Sequence, residues 1–270
     1  MIKHKICKIL LVILAIFLCV AFYELLGICV AYKKQPEVSN TTKKETKNGS
    51  WNECSENTER AVIIEKNPEA LLQRVRLIKN AKKEIILSTF AFQSDESGKL
   101  ILGALHDAAD RGVHIRLLVD GMESWIDMEG NPYFYGLSSH ENVEIKLYNK
   151  ANPLKPWKMM GRMHDKYLIA DGKRYILGGR NTYNYFLGDF PGHKNYDRDV
   201  LVVCDEPEKE NSVNQLLEYF ETIWGQEDSG YFHNNKKLAN RKSVKNAVLE
   251  LQNSYQKYFE ENKERICETD

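Results

Sequence analysis

The sequence predicts an α/β protein with a mixed, largely parallel sheet, carried behind an N-terminal membrane-spanning helix. Three observations lead there. Apolar strands alternate with an amphipathic helix between residues 84 and 119, the pattern of a βαβ unit. Residues 166–177 read as two buried strands joined at Asp171-Gly172, a pair that favours a tight hairpin turn. Ile9–Tyr32 is apolar apart from Glu24, long enough at ~1.5 Å per residue to cross a bilayer core.

In chain order, Lys3, Lys5 and Lys8 precede the apolar segment. This predicts a single-pass anchor at the cell membrane over residues 1–32; a cleaved signal peptide fits the same description. Ile28 stands before Cys29, where a lipoprotein signal wants a small residue. Lys33, Lys34, Lys43, Lys44 and Lys47 follow the span, so the lysine count leaves the side of the membrane open. Residues 33–59 are polar and aperiodic, a flexible linker. The folded domain is expected over residues 60–230. Asn67-Pro68 opens a helix with Asn67 as cap, and Leu71, Val75 and Ile78 give it one apolar face. Glu84–Phe92 is a strand, Ser97–Arg111 a helix closed by Gly112, and Val113–Val119 a strand that ends at Asp120-Gly121. Ligands of such sheets sit beyond the carboxyl ends of the strands. Asp95 and Asp120 are there, as pocket rim or as loop caps.

Val143–Tyr148 is the next strand. Between Lys146 and His164 there is no acidic residue, and Lys146, Lys150, Lys155, Lys158 and Arg162 are interleaved with Trp157, Met159, Met160 and Met163. Such a stretch suits the headgroup region of an anionic bilayer, at about 1 kcal/mol per basic residue, or a nucleic-acid backbone, or is a solvated loop. Arg198–Cys204 is a strand, with Asp197 and Asp199 near the pocket. Val213, Leu217, Phe220 and Trp224 mark a helix, and Val244, Val248, Leu251, Tyr255 and Phe259 a longer one within a C-terminal helical extension over residues 231–270.

Lys plus Arg and Asp plus Glu are both 38, so the formal charge is zero, which argues against broad nucleic-acid affinity. Of six cysteines only Cys54, Cys204 and Cys267 lie outside the apolar segment. They lack metal-ligand spacing and make no disulfide framework, with one pair among the three left open.

The chemistry is concentrated in residues 163–184. His164 and Lys166 are two apart and share a strand face. Gly178-Gly179 at a strand end suggest close backbone approach, and Arg180 and Asn181 add donors. An imidazole, an ammonium and an amide suit an anionic phosphoester. His164, Lys166 and Asp171 in His-x-Lys-x-x-x-x-Asp, followed by Gly178, Gly179 and Asn181 in Gly-Gly-x-Asn, resemble the signature of the phospholipase D superfamily. Arg-Met-His-Asp-Lys with Gly-Gly-Arg-Asn is most similar to the first of two such motifs in bacterial cardiolipin-synthase-like members, and the resemblance extends over roughly residues 60–225.

The resemblance implies an α/β/α sandwich and a membrane-bound phospholipid phosphodiesterase or phosphatidyltransferase. It implies catalysis by His164, Lys166 and Asp171, with phosphate held by Lys166, Asn181, Gly178 and Gly179, and no metal or cofactor. Asp171 is offset along the hairpin and reads as supporting rather than reacting. In-line displacement wants two imidazoles, one to attack phosphorus and one to protonate the leaving oxygen. The chain has one such motif, since His193 and His233 lack the spacing. Three readings follow: a homodimer that pools two motifs, one half of a longer two-motif protein, or a lipid-binding relative without turnover. A single-motif endonuclease acting on nucleic acid is the alternative enzyme.

Overall fold

The computed structural model describes residues 2–33, 40, 44, 59–206, 211–233 and 235–267; nearly all of the expected linker lies outside them. The chain forms two compact units. One gathers the N-terminal helix and Ala151–Arg162; the other holds Glu56–Lys150 and Met163–Asp270.

In the first unit α1 spans Ile2–Lys33. An 18-residue stretch within its Lys5–Ala31 segment has a mean hydropathy of 2.9, so by length and composition α1 can cross a membrane. Residues 151–162 lie against α1, centred on a short 3-10 turn at Pro156–Lys158.

The second unit runs β1 (Glu59–Ile64), α2 (Asn67–Asn80), β2 (Glu84–Thr89), α3 (Glu96–Asp110), β3 (His114–Asp120), α4 (Gly121–Asp127), α5 (Pro132–Ser138), β4 (Val143–Tyr148), β5 (Lys166–Ala170), β6 (Arg174–Gly178), β7 (Asp199–Cys204), α6 (Ser212–Trp224), β8 (Ser229–Tyr231), α7 (Lys242–Glu261) and α8 (Lys263–Cys267). Its strands form one sheet in the order β1-β7-β6-β5-β2-β3-β4-β8. Only β2–β3 and β3–β4 pair in parallel; the other neighbours are antiparallel. The sheet is mixed, as expected, but not largely parallel. The βαβ pattern accounts for the two parallel neighbours, whereas β5, β6 and β7 stand between β2 and β1 and alternate in direction, so every step across them is antiparallel.

Alternation along each strand divides the core in two. Ile85, Leu87, Ile115, Leu117, Leu168 and Ile176 face a large layer with α2, α3, α5 and α7. Ile86, Leu118, Tyr167, Ile169, Tyr175 and Val202 face the other way, against Val213, Phe220 and Trp224 of α6. The result is an α/β/α sandwich. The C-terminal helix shares the large core: Val244, Leu251, Tyr255 and Phe259 of α7 are buried in it. A Cβ on Gly103 of α3 would stand 2.6 Å from the Leu251 carbonyl oxygen, so only glycine allows α7 so close.

Two local expectations change. Asn67 does not cap α2; Lys66 holds that position. The Asn67 side chain instead donates to the backbone oxygens of Tyr185 and Asn195 and accepts from Arg180. The β5–β6 turn has three residues rather than two, because Ala170 pairs with Arg174. Asp171 and Gly172 both take positive φ, 54° and 61°, which Asp and Gly tolerate best.

Candidate active site

β5 is antiparallel to both β2 and β6, so its start lies beside the carboxyl ends of both neighbours. There His164 is exposed and meets the Phe90 ring edge-on, with centroids 4.6 Å apart. Lys166 is buried. Its Nζ lies 5.4 Å from the centroid of that same ring and donates to the His164 backbone oxygen at 2.8 Å. The two side chains thus converge on one aromatic ring, in keeping with their spacing. Burial pushes the Lys166 pKa down, and the Asp165 and Asp197 carboxylates pull it back up. Asp165, between the two, points to the opposite face and accepts from Tyr219 of α6 at 2.8 Å. Burial, helped by that acceptor, pushes the Tyr219 phenol up to about 12.

Support comes from three directions. Asp120 is buried; one oxygen accepts from Met122 and Glu123 at the start of α4, and the other accepts from the Met163 N–H at 3.0 Å. It is a cap that also holds the residue before His164. Asp95 is a cap too, accepting from Gly98 at 3.0 Å and from Asn184 at 2.7 Å. Beyond β6 the chain crosses to the end of β2. Asn181 Oδ1 accepts from Ala91 N–H at 3.2 Å, and Thr182 N–H donates to the Ala91 carbonyl at 3.0 Å. The Asn181 oxygen is therefore fixed toward that backbone, with Nδ2 on the other branch of the amide.

The close approach at the glycines is to carboxylates. A side chain on Gly178 would strike Asp199, and one on Gly179 would strike Asp197. The space left by the missing side chains is filled by the protein itself. Arg180 does not enter the site; it is buried, donating to Asn67 and to the backbone oxygens of Ile64 and Glu65. Asp199 sits between two guanidiniums, Arg74 at 2.9 Å and Arg180 at 3.2 Å.

Asp171 is a second correction. It follows β5 at the end opposite His164, about 20 Å along the strand. Its carboxylate accepts backbone N–H groups of Lys82, Lys83 and Glu84 at 2.9, 2.7 and 3.0 Å. It fastens the turn before β2, away from His164 and Lys166. Part of the basic stretch is also used elsewhere. Lys146 Nζ donates to the Trp224 carbonyl at 2.8 Å, and Lys150 Nζ to that of Tyr231 at 2.6 Å. Cys204 and Cys267 are free thiols; Cys54 lies outside the described residues. Among the described residues no cluster of three or more His, Cys, Asp or Glu is placed to hold a metal.

Sequence reasoning missed Phe90, Asp165 and Arg74. Phe90 closes an apolar strand like many others, and its partners come from 74 residues later in the chain, so no local signal marks it.

A family model described as cardiolipin synthase, PLD-like domain, matches residues 74–224, more than half of the chain. The chain belongs to the phospholipase D-like family. An uncharacterized protein of Helicobacter pylori is 30% identical over 212 residues, covering 73% of this chain and 39% of that protein. Cardiolipin synthase C of Escherichia coli is 29% identical over 171 residues, covering 58% and 34%. This phospholipase D-like chain thus spans well under half the length of these relatives. Among solved structures, phosphatidylserine synthase of Haemophilus influenzae superposes with a TM-score of 0.51 at 17% identity, covering 74% of this chain and 44% of that one. NucT from Helicobacter pylori does so at 0.50 and 17%, covering 64% and 99%. At those identities the likeness is one of fold.

Proposed function

We propose that the chain is a membrane-anchored phospholipid phosphodiesterase or phosphatidyltransferase acting through a phosphohistidine on His164. The observation that carries this is the convergence of an exposed imidazole and a buried ammonium on Phe90. The exposed ring is open to a substrate phosphorus. The ammonium is desolvated, so its attraction for a phosphoryl oxygen is weakly screened. Nδ2 of Asn181 supplies a neutral donor. Gly178 and Gly179, drawn against carboxylates, leave phosphate binding to Lys166 and Asn181.

In the first step the His164 nitrogen bonds to phosphorus while the bond to one alcohol oxygen breaks, and a second imidazole gives that oxygen its proton. In the second step water or a lipid alcohol bonds to phosphorus from the opposite side, the nitrogen–phosphorus bond breaks, and the second imidazole takes the acceptor's proton. Water gives hydrolysis, and an alcohol gives transfer. The other histidines of the second unit each meet a side chain of their own: His106 and His140 both contact Asp110 at 3.1 and 3.2 Å, His114 contacts Glu144 at 3.1 Å, His193 contacts Asn195 at 2.9 Å and His233 contacts Glu129 at 2.7 Å. This supports a second imidazole from another copy of the chain, in a homodimer, or from another motif-bearing half.

Labelled phosphatidylglycerol, with and without detergent, is the test, with labelled single-stranded DNA run beside it. Cardiolipin as product establishes transfer, and phosphatidic acid hydrolysis. Cleavage of DNA alone overturns the lipid reading in favour of a nuclease. The intermediate is checked by quenching mid-turnover and mapping an acid-labile, alkali-stable phosphoryl group to His164.

A further inference from the structure

We propose that Ala151–Arg162 is a membrane-inserting loop that seats Leu154, Trp157 and Met160 in the headgroup boundary of an anionic phospholipid bilayer, beside the anchor helix. The proposal rests on the membrane reading of α1 and deepens the lipid assignment.

The loop belongs to the same compact unit as α1. Tyr23 Oη donates to the Leu154 carbonyl at 2.9 Å. Gly27 is buried, and a Cβ there would come within 2.7 Å of Pro156 Cβ and 3.2 Å of the Trp157 nitrogen. The glycine is what admits the loop to the helix. Gly27 lies four residues before Ala31, the last residue of the apolar span, so about 6 Å of helix rise separates the contact from the end of that span. That depth is where hydrocarbon gives way to headgroups.

Although packed on the helix, the loop keeps large apolar side chains outside: Leu154 is 78% exposed, Met160 51% and Trp157 45%. Water is a poor solvent for such a cluster. Lys155, Lys158 and Arg162 alternate with them, and no acidic residue occurs in the loop. Aromatic and aliphatic side chains among cations match an anionic interface, the apolar groups entering the acyl boundary and the cations remaining among phosphates. The apolar surface is also continuous with α1, so one lipid phase solvates both. His164 follows Arg162 by two residues, so the segment that touches lipid leads directly into the catalytic strand.

The test uses the full chain in phosphatidylcholine vesicles with and without phosphatidylglycerol. Subtracting the spectrum of Trp157→Phe isolates the Trp157 emission. Lipids brominated near the headgroup or at the acyl ends then report depth. The expected result is a blue-shifted Trp157 signal, quenched most by the shallow bromines and strengthened by phosphatidylglycerol. Leu154→Glu combined with Met160→Glu, and separately Gly27→Leu, should each reduce the quenching. A Trp157 signal indifferent to bromine overturns the proposal, as does equal quenching in uncharged vesicles. A signal that follows protein concentration at fixed lipid assigns the face to a second copy and likewise overturns it. None of these readouts requires turnover, so loss of the lipid-cleaving assignment and loss of this one remain separable.

Discussion

The two ends of β5 share one sequence motif and do opposite work. At its start, His164 is exposed and Lys166 buried, both against Phe90, with Lys166 donating to a backbone oxygen. That end accepts an unfavourable arrangement, a desolvated ammonium, which chemistry can use. At the far end Asp171 is satisfied by three consecutive backbone N–H groups, an arrangement that favours folding. Spacing within a motif therefore shows which residues belong together, not which of them react.

The sharpest test of this contrast is His164→Ala. It should lower phosphodiester turnover by roughly 10⁴-fold or more, as loss of a nucleophile does, with a melting temperature near that of the parent. Comparable activity in a clean preparation would dissolve the distinction between the ends.

Lys166→Met comes next, with an expected loss of about 10²–10³-fold in turnover, the scale of one electrostatic donor. Unlike most core changes it should stabilise the fold, by about 1 kcal/mol, because it removes a desolvated charge. Burial depresses the Lys166 pKa. Between that lowered value and the ~10.4 of an unfolded lysine, the unfolded chain therefore binds more protons, and stability rises with pH. Below the lowered value the full cost is present. Lys166→Met should flatten that alkaline rise, as read from denaturation midpoints across pH; an unchanged slope would show that the ammonium is not desolvated.

Asp171→Ala should do the reverse. Turnover at 25 °C should stay within about twofold, while stability falls by about 2–3 kcal/mol for three N–H groups losing a charged acceptor. The melting temperature would drop by roughly 5–10 °C. A selective loss of turnover with unchanged melting would place Asp171 back in the chemistry.

Gly179→Ala is the smallest of the set. The added methyl displaces Asp197, an exposed side chain that pulls the Lys166 pKa up. Its effect should be about threefold on turnover or less, roughly 0.6 kcal/mol in barrier, with no change in fold by circular dichroism. A large effect would mean that the glycine backbone itself contacts phosphate.

Local patterns were legible because they depend on neighbours in sequence. Periodicity marked β4, β5, α2, α3, α6 and α7 within a residue or two. The spacing of His164 and Lys166 placed both on one face. Strand direction was less legible, since β8 has three residues and no apolar run, and β1, though apolar over Ala61–Ile64, is mostly exposed. Arg180 and Asn181 are adjacent yet diverge, one into an ion pair with Asp199 and the other toward Ala91. No composition rule separates them, because each is settled by a partner from a distant strand.

By itself, then, the sequence determined the apolar span, the α/β class, the family and the pair His164 and Lys166, all encoded by side-chain type at fixed short spacing. Only the tertiary structure decided that His164 and Lys166 meet Phe90, that Asp120 holds the residue before His164, that Asp199 and Asp197 occupy the room beside the glycines, and that Asp171 ties down a turn. The physical reason is one of range. Periodicity records which face a residue occupies, whereas the partner it meets depends on which strands the crossovers bring side by side.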